Sequence, residues 1–228
     1  MTHISPQEPL AVKAVLLDLD GTLIDTAPDL HAAACAMLRE MGRQEVSIEE
    51  TRHYVGKGMR NLIKRLLSRS LELSEEEAPQ EAIDCFRKHY AIENGKQAQC
   101  YPGVIEGLDM FREKGLPLAV VTNKPEMFVW PLLERMKLAH YFEVVIGGDT
   151  LPRLKPDPMP LLWTCGRLNV LPGKTLFIGD SVNDFLAARA ADCKVFMLPY
   201  GYNEGKDVRE LDADSIVPDL LYAARCVS

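Results

Sequence analysis

Leu17-Asp18-Leu19-Asp20-Gly21-Thr22 closes the apolar run Val12 to Leu17 with two carboxylates one residue apart and then a glycine. An apolar, β-branch-containing run of this length reads as a buried strand, and ligands of open α/β sheets collect just beyond the C-terminal ends of strands. Were the strand still regular here, Asp18 and Asp20 would lie on one face and place two negative charges in one cleft. Such a pair calls for a cation, a shared proton, or both. Asp-Gly is also a common turn dipeptide, so the segment alone leaves a plain turn open.

Comparable apolar runs return at Pro117 to Val121, Val144 to Ile146, Leu176 to Ile178 and Val195 to Leu198, the later ones separated by helix-like stretches. That rhythm predicts an α/β fold with a parallel central sheet. Between the first two runs lie roughly a hundred residues, far more than a crossover connection needs. An insertion accounts for them. From Ala27 to Cys100 the pattern is helical. It begins with Thr26 as an N-cap, Pro28 in the first turn and Leu30, Ala33, Ala34, Met37, Leu38 and Met41 at spacings of three and four, and Gly42 stops it. Further helices are predicted over Met59 to Leu67 and Glu75 to Tyr90, and their apolar faces satisfy one another in a small helical unit. The polar stretch Asn94 to Gln99 reads as the return linker. The chain is thus expected to comprise a core domain of residues 1–25 and 99–228 and a helical cap domain of residues 26–98.

Composition narrows the class of function. Hydrophobic residues make up 47 % of the 228 residues and charged residues 26 %, which is ordinary globular composition and excludes a chain meant to stay unfolded. With 33 acidic against 26 basic residues the formal charge is -7, so neither nucleic acid nor an anionic membrane is an expected partner. A small anionic molecule met by a local basic pocket remains compatible with that balance. The N-terminal stretch lacks a basic region followed by a long apolar one, and a cytoplasmic location is expected. The six cysteines are widely spaced with no CxxC pair, and they read as small buried hydrophobes.

Three more strand ends carry polar clusters. Val121 runs into Thr122 and Asn123, a hydroxyl and an amide able to donate to phosphate oxygens, though both residue types also cap helices. Lys155-Pro156-Asp157-Pro158 follows the third run and offers an ammonium that can offset a phosphoryl dianion beside a carboxylate; alone it reads equally as a surface lysine. Gly179-Asp180-Ser181-Val182-Asn183-Asp184 follows the fourth. Asp180 falls at the strand tip and Asp184 one helical turn later, where both can address a hard, oxygen-preferring ion or cap a helix. Such clusters at four strand ends in one chain are hard to explain as four separate caps and turns.

In this order, DLDGT (18–22), TN (122–123), KPDP (155–158) and GDSVND (179–184), with a helical insert after the first, resemble the haloacid dehalogenase superfamily of phosphohydrolases. Within it the chain is most similar to the phosphoglycolate phosphatases, through VGKG (55–58), YPGV (101–104), VVTNKP (120–125), VIGGD (145–149) and GYNEG (201–205). The resemblance implies a Rossmann-like three-layer sandwich with an inserted helical cap. It also implies Mg2+-dependent hydrolysis of a small phosphorylated metabolite, 2-phosphoglycolate, through an aspartyl-phosphate.

On this resemblance Asp18 is the nucleophile and Asp20 the acid and base. Mg2+ is held by Asp18, Asp20 through its backbone carbonyl, Asp180 and Asp184. Thr122 and Asn123 hold phosphoryl oxygens beside Gly21, and Lys155 neutralises the charge on Asp18 and the phosphoryl group. The cap hinges near Ile24 to Asp29 and Gln97 to Pro102. Two glycines flank Lys57 at an expected helix start, so Lys57 and then Arg60 are the candidates for the substrate's second anionic group. Other phosphomonoesterases and hexose-phosphate mutases share this layout. A dehalogenase would not need Asp20 and Asp180, a phosphonate hydrolase would need a Schiff-base lysine in the cap, and a non-catalytic phosphate-binding regulator would be expected to lack Asp18 or Asp20. His3, His31, His53, His89 and His140 form no metal-ligand spacing, and Trp130 and Trp163 read as packing residues.

Overall fold

A computed structural model of the protein describes residues 8–72 and 77–228; the start of the expected Glu75 to Tyr90 helix, and His3, lie outside the described residues. In chain order the elements begin with β1 (Ala14–Leu17), β2 (Ile24–Asp25), α1 (Ala27–Glu40), α2 (Ile48–Tyr54), α3 (Met59–Ser68) and α4 (Gln80–Glu93). There follow β3 (Gln99–Cys100), α5 (Val104–Glu113), β4 (Leu118–Val121), α6 (Glu126–Arg135), β5 (Val144–Ile146) and α7 (Met159–Leu168). The chain ends with β6 (Thr175–Gly179), α8 (Val182–Ala190), β7 (Lys194–Met197), β8 (Ser215–Ile216) and α9 (Leu220–Arg225).

Six strands form one parallel sheet in the order β5-β4-β1-β6-β7-β8. Alternate residues of each strand face opposite layers, as the two-residue period of a pleated strand requires. Val15, Leu17, Val120, Ile178 and Phe196 pack with α5, α6 and α9, whereas Ala14, Leu16, Ala119, Val121, Phe177 and Val195 pack with α7 and α8. Helices on both faces explain why these strands read as unbroken apolar runs. The result is the expected three-layer α/β/α architecture. Its five longer strands match the apolar runs to within two residues at either end, while β8 is too short and too polar to stand out in the sequence.

Helices α1 to α4 bury a separate cluster built on Ala33, Ala34, Leu38, Ile63, Leu66, Ile83 and Phe86. This helical unit joins the sheet layer through a two-stranded antiparallel ribbon, Ile24 opposite Cys100 and Asp25 opposite Gln99. Thr26 does precede α1, but its side chain makes no capping bond; its hydroxyl donates instead to Asp20 Oδ1 at 2.6 Å. Helix α2 is absent from the apolar-period reading because it buries only Thr51 and Tyr54. Its start is nonetheless written in a capping box: Ser47 accepts from the Glu50 amide while Glu50 accepts from the Ser47 amide. All six cysteines are free thiols, five of them buried. Trp130 and Trp163 are each 40 % exposed, so they pack at the surface of the helices rather than in the core.

Candidate active site

The sheet order reverses at β1, since the chain leaves it for β4 and β5 on one side and returns to β6 and β7 on the other. A crevice opens at such a switch point, beyond the C-terminal strand ends. Asp18, Thr122 and Asp180 follow the tips of the adjacent strands β1, β4 and β6, so the topology brings them together from three distant stretches of chain.

Carboxylate oxygens of Asp18, Asp180 and Asp184 all lie within 4.8 Å of one another. Lys155 Nζ sits 2.9 Å from Asp18 Oδ1 and 2.6 Å from Asp184 Oδ1, with its side chain only 2 % exposed. Asp184 Oδ2 accepts from the Ser181 amide at 3.0 Å, the Ser181 hydroxyl at 2.7 Å and the Asp180 amide at 3.2 Å. Asp184 is therefore the fixed anchor of the group. Asp180 takes the Thr22 hydroxyl on Oδ1 and the Tyr202 amide on Oδ2. Gly21 and Gly201 wall it in: a β-carbon at Gly21 would come within 2.4 Å of Asp180 Oδ2 and one at Gly201 within 2.2 Å. Gly21, at φ +87°, is thus required by the close approach of Asp180.

Three carboxylates, two buried and one nearly so, against a single lysine leave uncompensated negative charge. Burial pushes Asp18 up to about 7, with the neighbouring Asp184 adding to the rise and Lys155 opposing it. Burial, then the charges of Asp184 and Asp18, hold Asp180 well above the ordinary carboxylate range. A surplus of hard oxygen donors in this state is what a divalent cation neutralises, so the residues fit one. The side chain of Asp20 lies outside the cluster, although it lines the same cavity as Asp18. It accepts from Thr26 and from Lys124 Nζ at 2.9 and 3.3 Å, and the Lys124 ammonium is also 2.5 Å from the Tyr90 hydroxyl of α4.

Asp18, Asp20, Thr122, Asn123 and Lys124 line a cavity closed from above by Leu30, Val55, Gly56, Gly58, Met59, Leu62, Phe86 and Tyr90 of the helical unit. The Gly56 carbonyl accepts from the amides of Asn123 at 3.1 Å and Asn183 at 3.3 Å, which pins this loop onto the strand ends. Asn123 also exchanges hydrogen bonds with the Lys155 backbone, so its amide is committed to holding two loops together. The two cap cations expected at the substrate are placed elsewhere. Lys57 pairs with Glu204 at 2.9 Å alongside the buried Arg65, and Arg60 is exposed; neither lines the cavity. Lys124 and Tyr90 occupy the space instead. A second group of ligand type, Glu40, Cys85 and His89, lies on the outer face of the helical unit, where Glu40 already pairs with His89 and Lys88.

A parallel sheet with acidic, hydroxyl and ammonium groups at adjacent strand tips, roofed by helices inserted after the first strand, defines a phosphoric monoester hydrolase. The chain belongs to the haloacid dehalogenase-like hydrolases, whose family model matches residues 15–198. More particularly, it is 48 % identical over 220 residues to a phosphoglycolate phosphatase of Nitrosospira multiformis, covering 96 % of this chain and 97 % of the other. It is likewise 48 % identical over 221 residues to that of Thiobacillus denitrificans, with the same coverage. The crystal structure of a predicted phosphoglycolate phosphatase from Haemophilus somnus superposes with a TM-score of 0.84 at 33 % identity, covering 92 % of this chain and 95 % of that one. No helix among the described residues is long and apolar enough to cross a membrane.

Proposed function

We propose that the protein hydrolyses 2-phosphoglycolate to glycolate and phosphate with Mg2+ as its cation. The observation that carries this reading is the cavity roof: of the described side chains the helical unit contributes, only the Tyr90 hydroxyl is polar, the rest being Leu30, Val55, Met59, Leu62 and Phe86. A sugar phosphate would leave several hydroxyls unpartnered against that wall, which costs binding, whereas the two-carbon leaving group of 2-phosphoglycolate has a single polar group to place, its carboxylate. The names borne by the relatives agree. Lys57, engaged by Glu204 away from the cavity, is not placed for the Schiff base of a phosphonate hydrolase.

Asp18 attacks phosphorus, forming an O–P bond as the bond to the leaving oxygen breaks, and Asp20 protonates the departing alkoxide. Asp20 then takes a proton from water as that water attacks the aspartyl-phosphate, releasing phosphate and restoring Asp18. Lys155 offsets charge on Asp18 throughout, and Asp184 holds Lys155 in place. Thr122 and the backbone at Asn123 hold the transferring oxygens. Asp18, the Asp20 carbonyl, Asp180 and Asp184 would hold Mg2+, which would supply the charge that cancels repulsion between a carboxylate and a phosphate dianion. Residues 26–98 act as the cap, and the ribbon of β2 and β3 is the hinge on which it closes to exclude water.

The test is release of phosphate by purified protein with Mg2+ from 2-phosphoglycolate, β-glucose 1-phosphate and phosphonoacetaldehyde, and of halide from a chloroalkanoate. The 2-phosphoglycolate reaction should dominate and stop when the metal is chelated; isomerisation of the sugar phosphate or halide release as the leading activity would overturn the reading.

Cation binding carries its own pH signature. Because folding raises Asp18 from 3.8 to about 7, the folded chain binds that proton more tightly than the unfolded one. The resulting stabilisation is complete below the unfolded value and is lost as pH rises through about 7. A cation competes with this proton, so Mg2+ at a hundredfold excess over its dissociation constant should contribute about 2.7 kcal/mol at pH 8. Much less is expected at pH 5. Thermal unfolding with and without Mg2+ at the two pH values checks this, and an equal shift at both would count against the cluster as the metal site.

A further inference from the structure

Glycolate's carboxylate is a second anion that the Asp18 cluster does not serve, and resting on the reading above, we propose that Lys124 is the residue that selects it. Among the described residues Lys124 is the only lysine or arginine that lines the cavity. Its side chain is 2 % exposed and its ammonium lies 2.9 Å from Asp20 Oδ1, the carboxylate assigned to the leaving oxygen. The leaving group therefore departs beside this ammonium. Asp18 is served instead by Lys155, so each of the two aspartates has its own buried lysine.

The surroundings of Lys124 hold its charge without consuming all of it. The Asp20 carboxylate and the Tyr90 hydroxyl both face the ammonium. The ammonium donates to both Asp20 carboxylate oxygens, at 2.9 and 3.3 Å, and to the Tyr90 hydroxyl, so an incoming carboxylate would take over the longer Asp20 contact. The Tyr90 ring, centred 4.7 Å from Nζ, closes the apolar side. Beside it the chain turns through Gly58 into α3, and no side chain caps that helix start. A carboxylate meeting Lys124 would thus also meet the partial positive charge of the helix end. Tyr90 belongs to the helical unit and Lys124 to the strand ends, so the cation is completed only when the two are together.

The measurement compares 2-phosphoglycolate with ethyl phosphate, which replaces the carboxylate by a methyl group. The wild type should prefer 2-phosphoglycolate in kcat/KM, and Lys124→Met should lower that preference by about 30-fold or more, the effect of removing one partner of a buried charge pair. Lys124→Arg, which keeps the charge, should retain more of the preference than Lys124→Gln, which does not. Equal losses on both substrates would mean that Lys124 only steadies Asp20, and an intact preference in Lys124→Met would reject it outright. Glycolate inhibition of the wild type needs no variant: it should exceed that by neutral glycolamide by about tenfold, and parity would overturn the proposal. A wild type that does not prefer 2-phosphoglycolate over ethyl phosphate would bring down the functional reading itself, an outcome distinct from loss of the Lys124 assignment alone.

Discussion

Asp18→Asn is expected to cut turnover of 2-phosphoglycolate by roughly four orders of magnitude or more, since replacing a covalent nucleophile removes the route and not one of its supports. The amide has nearly the shape of the carboxylate and can still accept from Lys155 and the Leu19 amide, as Asp18 does. Folding should therefore survive, and circular dichroism with a cooperative thermal transition would show it. Rapid quench after mixing with substrate labelled in its phosphoryl group should trap label on the wild type and none on the variant. Turnover within tenfold of wild type in Asp18→Asn would exclude the covalent route.

Lys155→Met should damage stability and chemistry together. The lysine is the only cation within reach of Asp18 and Asp184 among the described residues, and all three side chains are buried or nearly so. Removing one partner of such a group leaves buried charge uncompensated, which costs about 3 to 5 kcal/mol in comparable cases. That loss is conditional on Asp18 being charged. Its value of about 7 places it mostly protonated at pH 5 and mostly ionised at pH 8. Lys155 itself lowers Asp18, so in the variant the carboxyl holds its proton to still higher pH. Denaturant unfolding in the presence of chelator should show the variant losing more, relative to wild type, at pH 8 than at pH 5. A penalty independent of pH would mean that lost packing of the lysine stem, and not its charge, explains the defect. Activity should fall by about two to three decades as well, in line with loss of one charged donor at a transition state.

The sheet and the core site were legible because both are written locally. Apolar runs announce buried parallel strands, and a polar residue directly after each run announces what the strand presents at its tip, which put Asp18, Thr122 and Asp180 forward as candidates; their roles came from the resemblance. Lys124 stands three residues past the end of β4, in the segment that supplied Thr122 and Asn123, and was passed over. Its signal was faint: a lysine following a hydroxyl and an amide at a strand end looks like any solvated loop cation. Lys57 looked the better candidate because glycines flank it. What decides between them is charge pairing over long sequence separations, Glu204 taking Lys57 and Asp20 taking Lys124, and local spacing does not encode it. The fate of Thr26 follows the same rule. Its position before α1 marks the helix start correctly, but a tertiary acceptor, Asp20, outbids the local amide for its hydroxyl.

The central place of β1 bears on how the molecule comes into being. Leu16 is paired on one flank with Ala119 and on the other with Phe177. Both partners come more than a hundred residues later in the chain, so the first strand made waits for closure of long loops, a step that is entropically costly and slow. During synthesis the helices of residues 27–93 can assemble while Asp18 still lacks the neighbours that give it a metal-binding cluster and a lysine. A chain released before β6 has emerged would carry the DxD segment and the helical unit yet have no active centre to show for them. Proteolytic sensitivity at Asp18 during stalled synthesis should then disappear only once Gly179 clears the ribosome.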